Sequence, residues 1–100
     1  MQKVIIEIPM NLEPQERGDR FDLPLCDLFD ETDGGDVVGG GTIVRSGRIE
    51  GVEIEIELTS IDLLSRVADI LVKGGAPPTT SISIISDAPT QLTLAELNER

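Results

Sequence analysis

Two segments of the chain, residues 3–8 and 52–58, alternate between apolar and polar side chains. Successive side chains of a β-strand point to opposite faces, so this alternation predicts two strands that each have one apolar face. In the second segment the polar face consists of three carboxylates, Glu53, Glu55 and Glu57. These strands are the clearest secondary-structure signal in the sequence.

Two further strands are predicted from weaker patterns. Residues 37–45 form an extended segment that is interrupted by three glycines at positions 39–41. Adjacent glycines inside a strand indicate a bulge, a sharp bend or the close approach of another backbone. Residues 46–51 have the composition of a turn, and residues 81–85 form the last predicted strand. The polar segment over residues 11–20 is predicted to be a loop.

Apolar residues at helical spacing predict two longer helices. The first covers residues 23–32 and has Asp22 as its predicted N-terminal cap. The second begins at Thr59 or Ser60 and ends at Gly74, a residue type that is typical of helix C-termini. Its apolar stripe consists of Ile61, Leu64, Val67, Ala68 and Leu71.

The order of the predicted elements indicates the fold class. A short terminal helix over residues 94–99 follows Thr93 as cap, with Glu96 completing a capping box. Before it, the order is strand, helix, strand, strand, helix, strand, which matches an α+β, ferredoxin-like split βαβ sandwich. That fold has a four-stranded antiparallel sheet with two helices on one face; a three-stranded version without the first helix is the alternative. With 100 residues, we expect a single domain over residues 1–100.

The charge balance of the chain is strongly acidic. Lys and Arg total 8 against 19 Asp and Glu, which gives a formal net charge of -11. Such a field repels phosphate backbones and anionic membranes and attracts basic partners. We therefore expect a basic protein partner, and neither nucleic acid nor a membrane; a homodimer is left open. The alternative is that the charge only keeps the protein soluble.

Several residue types that common enzyme chemistry requires are missing. The sequence has no His and no Tyr, so Cys26 has no imidazole to activate it. Cys26 is instead predicted to be a small buried residue on the first helix. One Cys without His cannot supply a zinc site, and no acidic segment has the spacing of an EF-hand. We predict a protein that is not an enzyme and has no cofactor and no metal, with a weak divalent-cation contact in the loop of residues 30–36 left open.

The single cysteine and the start of the chain also bear on where the protein works. One cysteine cannot form an intrachain disulfide, which fits a reducing compartment. The sequence shows neither a signal-peptide pattern nor an apolar run of membrane-spanning length. We therefore expect a cytoplasmic protein.

Four carboxylates are the candidate binding residues, namely Glu7, Glu53, Glu55 and Glu57. In ferredoxin-like RNA-recognition modules, the helix-free sheet face binds bases through aromatic and basic residues, so carboxylates there contradict that mode. The functional interpretation is a docking surface for a cationic protein. The alternative is a solvated face whose charges are relieved by cross-strand pairs with Arg45 and Arg48.

The glycine-rich segment Gly-Asp-Val-Val-Gly-Gly-Gly-Thr of residues 35–42 precedes the alternating strand 52–58 and a helix that ends at Gly74. This arrangement, over residues 35–85, resembles small uncharacterised bacterial proteins, some of which resemble immunity proteins of contact-dependent or polymorphic toxin systems. The resemblance carries no functional residues onto this chain. It implies an immunity or inhibitor protein that masks a basic partner. The alternatives are an ACT-like regulatory domain that binds a small molecule and a purely structural or oligomerisation role.

Overall fold

A five-stranded antiparallel sheet organises the chain's α+β fold in a computed structural model that describes residues 2–86 and 88–98. The strands are β1 (Gln2–Ile8), β2 (Gly35–Arg45), β3 (Arg48–Leu58), β4 (Ser81–Ile85) and β5 (Thr90–Thr93). Their order in the sheet is β2-β3-β1-β4-β5, and all neighbours are antiparallel. Strands β1 and β2 are therefore parallel with β3 between them, and β3 and β4 are parallel with β1 between them. Both βαβ units are thus split.

The alternation in β1 and β3 places their apolar side chains on one face of the sheet, as predicted. These side chains are at most 1% exposed: Val4, Ile6, Ile8, Val52, Ile54, Ile56 and Leu58. Burying an aliphatic side chain of this size contributes about 1.5–3 kcal/mol relative to leaving it exposed. The two strands therefore supply the central layer of the core.

Helices cover this apolar face. The first helical segment consists of α1 (Pro14–Arg17), a π turn (Gly18–Asp22) and α2 (Leu23–Thr32). A 3-10 turn (Ile61–Leu63), capped by Ser60, leads into α3 (Leu64–Lys73), and α4 (Leu94–Asn98) follows β5. Their buried side chains complete the core: Phe21, Leu25, Leu28, Phe29, Leu64, Val67, Ala68, Leu71 and Leu94. In the part of the chain that the structure describes, no helix has both the length and the apolar character needed to cross a membrane.

The predicted loop over residues 11–20 is wrong, because the chain is helical from Pro14 onward. Proline is compatible with the first position of a helix, where its missing N–H would have no partner anyway. The helix continues through the π turn, which carries the fully buried Phe21. Asp22 therefore lies inside the helical segment, with φ −62° and ψ −47°, and makes no side-chain capping bond. Its predicted role as a cap is also wrong.

The prediction of four strands is corrected by β5, which pairs with β4. This strand has four residues, of which Leu92 alone is buried, so its sequence shows too little alternation to be recognised. The capping box after it is confirmed. The Thr93 N–H donates to Glu96 Oε1 and the Glu96 N–H donates to Thr93 Oγ1, both at 3.2 Å. Residue 99, the last of the predicted terminal helix, lies outside the described residues.

Strands β2 and β3 form a hairpin that is longer than predicted. The turn is limited to Ser46 and Gly47, whose φ angles of 53° and 76° are those of a type I′ turn. The register shifts between Val37 and Gly39, which confirms an irregularity at the glycine-rich segment. Because β1 pairs with β3 only as far as Val52, the end of the hairpin extends past the rest of the sheet.

Candidate functional site

The sheet face opposite the helices carries carboxylates, because the polar positions of β1 and β3 point away from the core. All four predicted site residues lie on this face and are half-buried. Strand β2 adds a fifth acid, the exposed Asp36, which the register places beside Glu57. The acidic face is defined here as Glu7, Asp36, Glu53, Glu55 and Glu57.

Two carboxylates of the acidic face lie directly opposite each other. Glu7 is the cross-strand partner of Glu53, an arrangement in which Cβ atoms are about 4.5–5.5 Å apart. Their other neighbours in the same row are Gly41 and Ser81, which carry no charge. Over residues 2–86 and 88–98, no ion pair involves a carboxylate of the acidic face. Arg45 lines the same surface depression as Glu7 but is paired with Glu50, so neither Glu7 nor Glu53 has an ion-pair partner within the described chain.

The predicted cross-strand relief by Arg45 and Arg48 is wrong. Arg45 forms an ion pair with Glu50 across the hairpin, with Nε and Oε2 3.5 Å apart, and Arg48 is the cross-strand partner of Arg45. Both arginines flank the turn, in the part of the hairpin that extends past β1. Lys3 lies opposite Glu57 in the register but forms no ion pair in the described residues.

A shallow depression of about 170 Å³ adjoins the acidic face at Glu7. Its walls include the ion-paired Arg45 and Glu50, the hydroxyl-bearing Ser81 and the apolar Ile43. Sites for small molecules are usually about 300–1,000 Å³. The depression is therefore closer in size to one inserted side chain than to a metabolite.

The three glycines of β2 differ in what surrounds them. Gly40 lies on the helix side, where an added Cβ would be 2.7 Å from the carbonyl oxygen of Glu53 and 3.1 Å from Arg17 Nη1. Gly39 lies beside Glu55 on the acidic side, where an added Cβ would be an ordinary 3.7 Å from Glu55 Oε2. At Gly41 nothing lies within 4 Å of that position. Close packing therefore requires glycine at position 40, and it does not at positions 39 and 41.

An ion pair holds the guanidinium that packs against Gly40. Arg17 Nη2 lies 3.4 Å from Asp22 Oδ2, with the two side chains 19% and 25% exposed. Arg17 Nε and Asp22 Oδ1 are buried and have no hydrogen-bond partner in the described residues. Burial raises the pKa of Asp22, and the charge and hydrogen bond of Arg17 only partly offset that rise. The pair is thus incompletely satisfied, which is costly for buried polar groups.

Cys26 lies on α2, as predicted, but is half-buried rather than buried. Burial raises the pKa of its thiol, and the charges of Asp22, Asp30, Asp36 and Asp27 raise it further. A raised pKa disfavours the thiolate, which is the nucleophilic form. In residues 2–86 and 88–98, no group of three or more Cys, Asp or Glu side chains is placed to hold a metal ion.

Comparison with known proteins supports the fold. No protein-family model matches the chain, and no curated protein sequence matches it. The chain is similar to the solved structure of 5-chloro-2-hydroxyhydroquinone dehydrochlorinase from Burkholderia phenoliruptrix in complex with 2,5-dihydroxybenzoquinone. The TM-score is 0.50 and the identity 18%, over 88% of this chain and 96% of that chain. At this identity the likeness shows the fold alone, and because that protein is an enzyme it gives no support to the prediction that this chain is not one.

Proposed function

We propose that the chain is a ferredoxin-like, non-catalytic binding domain whose acidic face receives a basic surface of a protein partner. The observation that carries this proposal is the direct opposition of Glu7 and Glu53, neither of which forms an ion pair within the described residues. An immunity or inhibitor protein that masks a cationic protein is the class that this surface fits best.

The opposed carboxylates favour an external cation for a physical reason. Like charges directly across two strands destabilise a sheet, so the free protein retains an arrangement that costs stability. An arginine or lysine of a partner placed between the two carboxylates would remove the repulsion and add charge-assisted hydrogen bonds. The net charge of -11 would also speed the encounter with a basic partner and make its rate depend on salt.

Two features argue against the alternatives. At the acidic face, the depression of about 170 Å³ next to Glu7 is small for the ligand of an ACT-like regulatory domain, and the depressions of about 530 and 460 Å³ lie along α2 and α3, on the helix side. A homodimer that joined two open sheet faces would bring two acidic faces together, which like-charge repulsion opposes. A partner of opposite charge avoids both difficulties.

A fluorescent octalysine peptide tests whether the acidic face is the binding surface. We would compare its affinity for the parent chain, for Glu53→Gln/Glu55→Gln, and for the control Asp27→Asn/Asp69→Asn. Each variant removes two negative charges, and the control removes them from exposed positions on α2 and α3. At about 50 mM salt, we expect the first variant to lose about 1 kcal/mol of binding free energy, or roughly fivefold in affinity, because two partly exposed ion pairs are lost.

The control should change the affinity by less than about twofold, because its charges lie on the helical side of the molecule. Equal losses in the two variants would mean that the peptide responds to net charge alone. That result would contradict a specific binding role for the acidic face.

A further inference from the structure

Strand β2 is a long edge of the sheet with little protection. It has eleven residues and pairs with β3 on one side, and no described strand pairs with its other side. The opposite edge is β5, which has only four residues. Sheet edges are usually protected by short strands, lysines, prolines or bulges. Strand β2 has two register shifts, near Val38 and between Ile43 and Val44, but it contains neither Pro nor Lys, and Val38 and Val44 are exposed.

Two glycines of this edge are not explained by the fold of the isolated chain. Gly39 and Gly41 lack the positive φ that favours glycine, and an added Cβ would meet no close contact at either position. Glycine inside a strand costs about 0.5–1 kcal/mol relative to alanine. A bare strand of this kind is expected where another backbone or its side chains approach closely.

We propose that an extended segment of the basic partner adds to β2 as a sixth strand, with its cationic side chains crossing Gly39 and Gly41 to reach Glu55 and Glu53. This inference rests on the proposed function for the charge of the partner and adds the mode of binding. The added strand would lie two strand spacings, about 9.6 Å, from β3. Gly39 and Gly41 have no side chain that could block a long cationic side chain, and Glu55 Oε2 lies 3.7 Å from the position that a Cβ at Gly39 would occupy.

The two sides of β2 predict the sequence pattern of the segment. On the acidic side, its residues would face the row that contains Glu53 and Glu55. On the helix side, its residues would approach the Arg17 guanidinium next to Gly40, so a basic residue is unfavourable there. Side chains of a strand alternate between faces. The expected segment therefore alternates basic and apolar residues.

Charge also selects between occupants of this edge. Pairing of β2 with β2 of a second copy would make one continuous sheet and place two acidic faces side by side. With a net charge of -11 on each copy, that arrangement is opposed by repulsion. A basic, alternating segment gains both the backbone hydrogen bonds and the charge complementarity, as in other cases of strand addition.

The test uses a capped eight-residue peptide of alternating lysine and valine and the same peptide with every backbone nitrogen methylated. The two peptides have the same charge, but the methylated one cannot donate backbone hydrogen bonds. We expect the first peptide to slow hydrogen exchange of alternate amides over residues 39–43 by about tenfold or more. The methylated peptide should bind at least about tenfold more weakly, since several edge hydrogen bonds are lost.

Protein variants provide a second readout. Gly39→Thr/Gly41→Thr should raise the melting temperature of the free chain, because threonine favours strands. The same variant should bind the unmethylated peptide about fivefold or more weakly, because the added side chains would lie between the peptide and the carboxylates. The control Gly18→Ala lies in the helical segment, where an added Cβ also has open space. It should raise the melting temperature without changing the affinity for the peptide.

The outcomes separate the two proposals. Equal binding of the two peptides, or binding without protection in β2, would overturn strand addition and leave docking on the acidic face intact. Failure of the lysine-valine peptide to bind while octalysine still distinguishes the glutamate variants would overturn strand addition as well. Octalysine binding that is insensitive to Glu53→Gln/Glu55→Gln would instead remove the proposed function itself.

Discussion

Replacing Glu53 with glutamine should stabilise the free protein, although it removes a charged residue from a region proposed to bind. Glu53 faces Glu7 directly across β1 and β3, and no cation of the described chain pairs with either carboxylate. The change leaves a side chain of nearly the same size and removes one of the two charges. The substitution should therefore remove a repulsion from the folded state. In the unfolded chain the two residues are far apart, so the repulsion is small there.

The expected gain follows from the separation of the two charges. If the Cβ spacing of directly opposed residues, about 5.5 Å, is taken as the separation of the charges, two unit charges in a medium with the dielectric constant of water repel by roughly 0.75 kcal/mol. Half-burial of both side chains increases this value, and salt decreases it. We expect a gain of about 0.5–1 kcal/mol at low ionic strength. For a domain of this size, that corresponds to a rise of roughly 2–8 °C in melting temperature.

Urea unfolding at about 50 mM and about 1 M salt measures this effect, with Glu57→Gln as the matched control. At 1 M salt the Debye length is about 3 Å, shorter than the separation of the carboxylates, so most of the gain should disappear. Glu57 lies on the same strand and face and is also half-buried, but it has Lys3 on one side and Asp36 on the other. Its substitution should change the free energy of unfolding by less than about 0.3 kcal/mol.

Three results would refute this reasoning. Glu53→Gln could fail to stabilise the protein at low salt, its effect could be the same at high salt, or Glu57→Gln could stabilise the protein equally. In the first two cases, the opposed carboxylates would not repel each other as their register implies. In the third, a general reduction of negative charge would explain the gain.

Two further predictions concern the helix side of β2. Gly40→Ala should lower the free energy of unfolding by about 1–3 kcal/mol in a urea titration, because its Cβ would collide with the carbonyl oxygen of Glu53; Gly41→Ala, in open space, should not lower it. Burial raises the folded pKa of Asp22 above its ordinary value of 3.8, so its contribution to stability is greatest below that pH and is lost as the pH rises through the folded pKa. The stability of Asp22→Asn relative to the parent should therefore increase over that interval, and a difference that does not vary with pH would contradict the raised pKa.

The parts of the fold that sequence predicted are those in which local pattern and burial agree. Residues 52–58 of β3 alternate strictly and residues 3–8 of β1 alternate except at Ile5, and the apolar sides of both strands form the centre of the core. The helical segment before α2 was missed because Pro14, Gly18 and a largely polar composition are typical of loops. Its helical state accompanies the burial of Phe21, a tertiary contact that overrides local preference.

The candidate site could be predicted only as far as strand periodicity reaches. Alternation placed Glu53, Glu55 and Glu57 on one side of β3 and Glu7 on the polar side of β1, and the structure adds Asp36 to the same face. Which acids face each other depends on register, and register depends on the turn and the bulge as well as on the pattern. The opposition of Glu7 and Glu53 is a contact between distant parts of the sequence and could not be derived from either strand alone.

The β2–β3 hairpin combines two separate costs to the free protein, and this combination is the strongest argument for binding at this edge. One cost is the uncompensated charge of Glu53, and the other is the pair of glycines at positions 39 and 41, which close packing does not require. The two costs differ in chemistry, yet they lie on neighbouring strands and face the same side of the sheet. The cationic side chains of a basic strand added to β2 would neutralise the charge of Glu53, and the glycines at positions 39 and 41 would leave room for those side chains. Stability and binding should therefore oppose each other at these positions, so the substitutions that most stabilise the hairpin should be those that weaken binding.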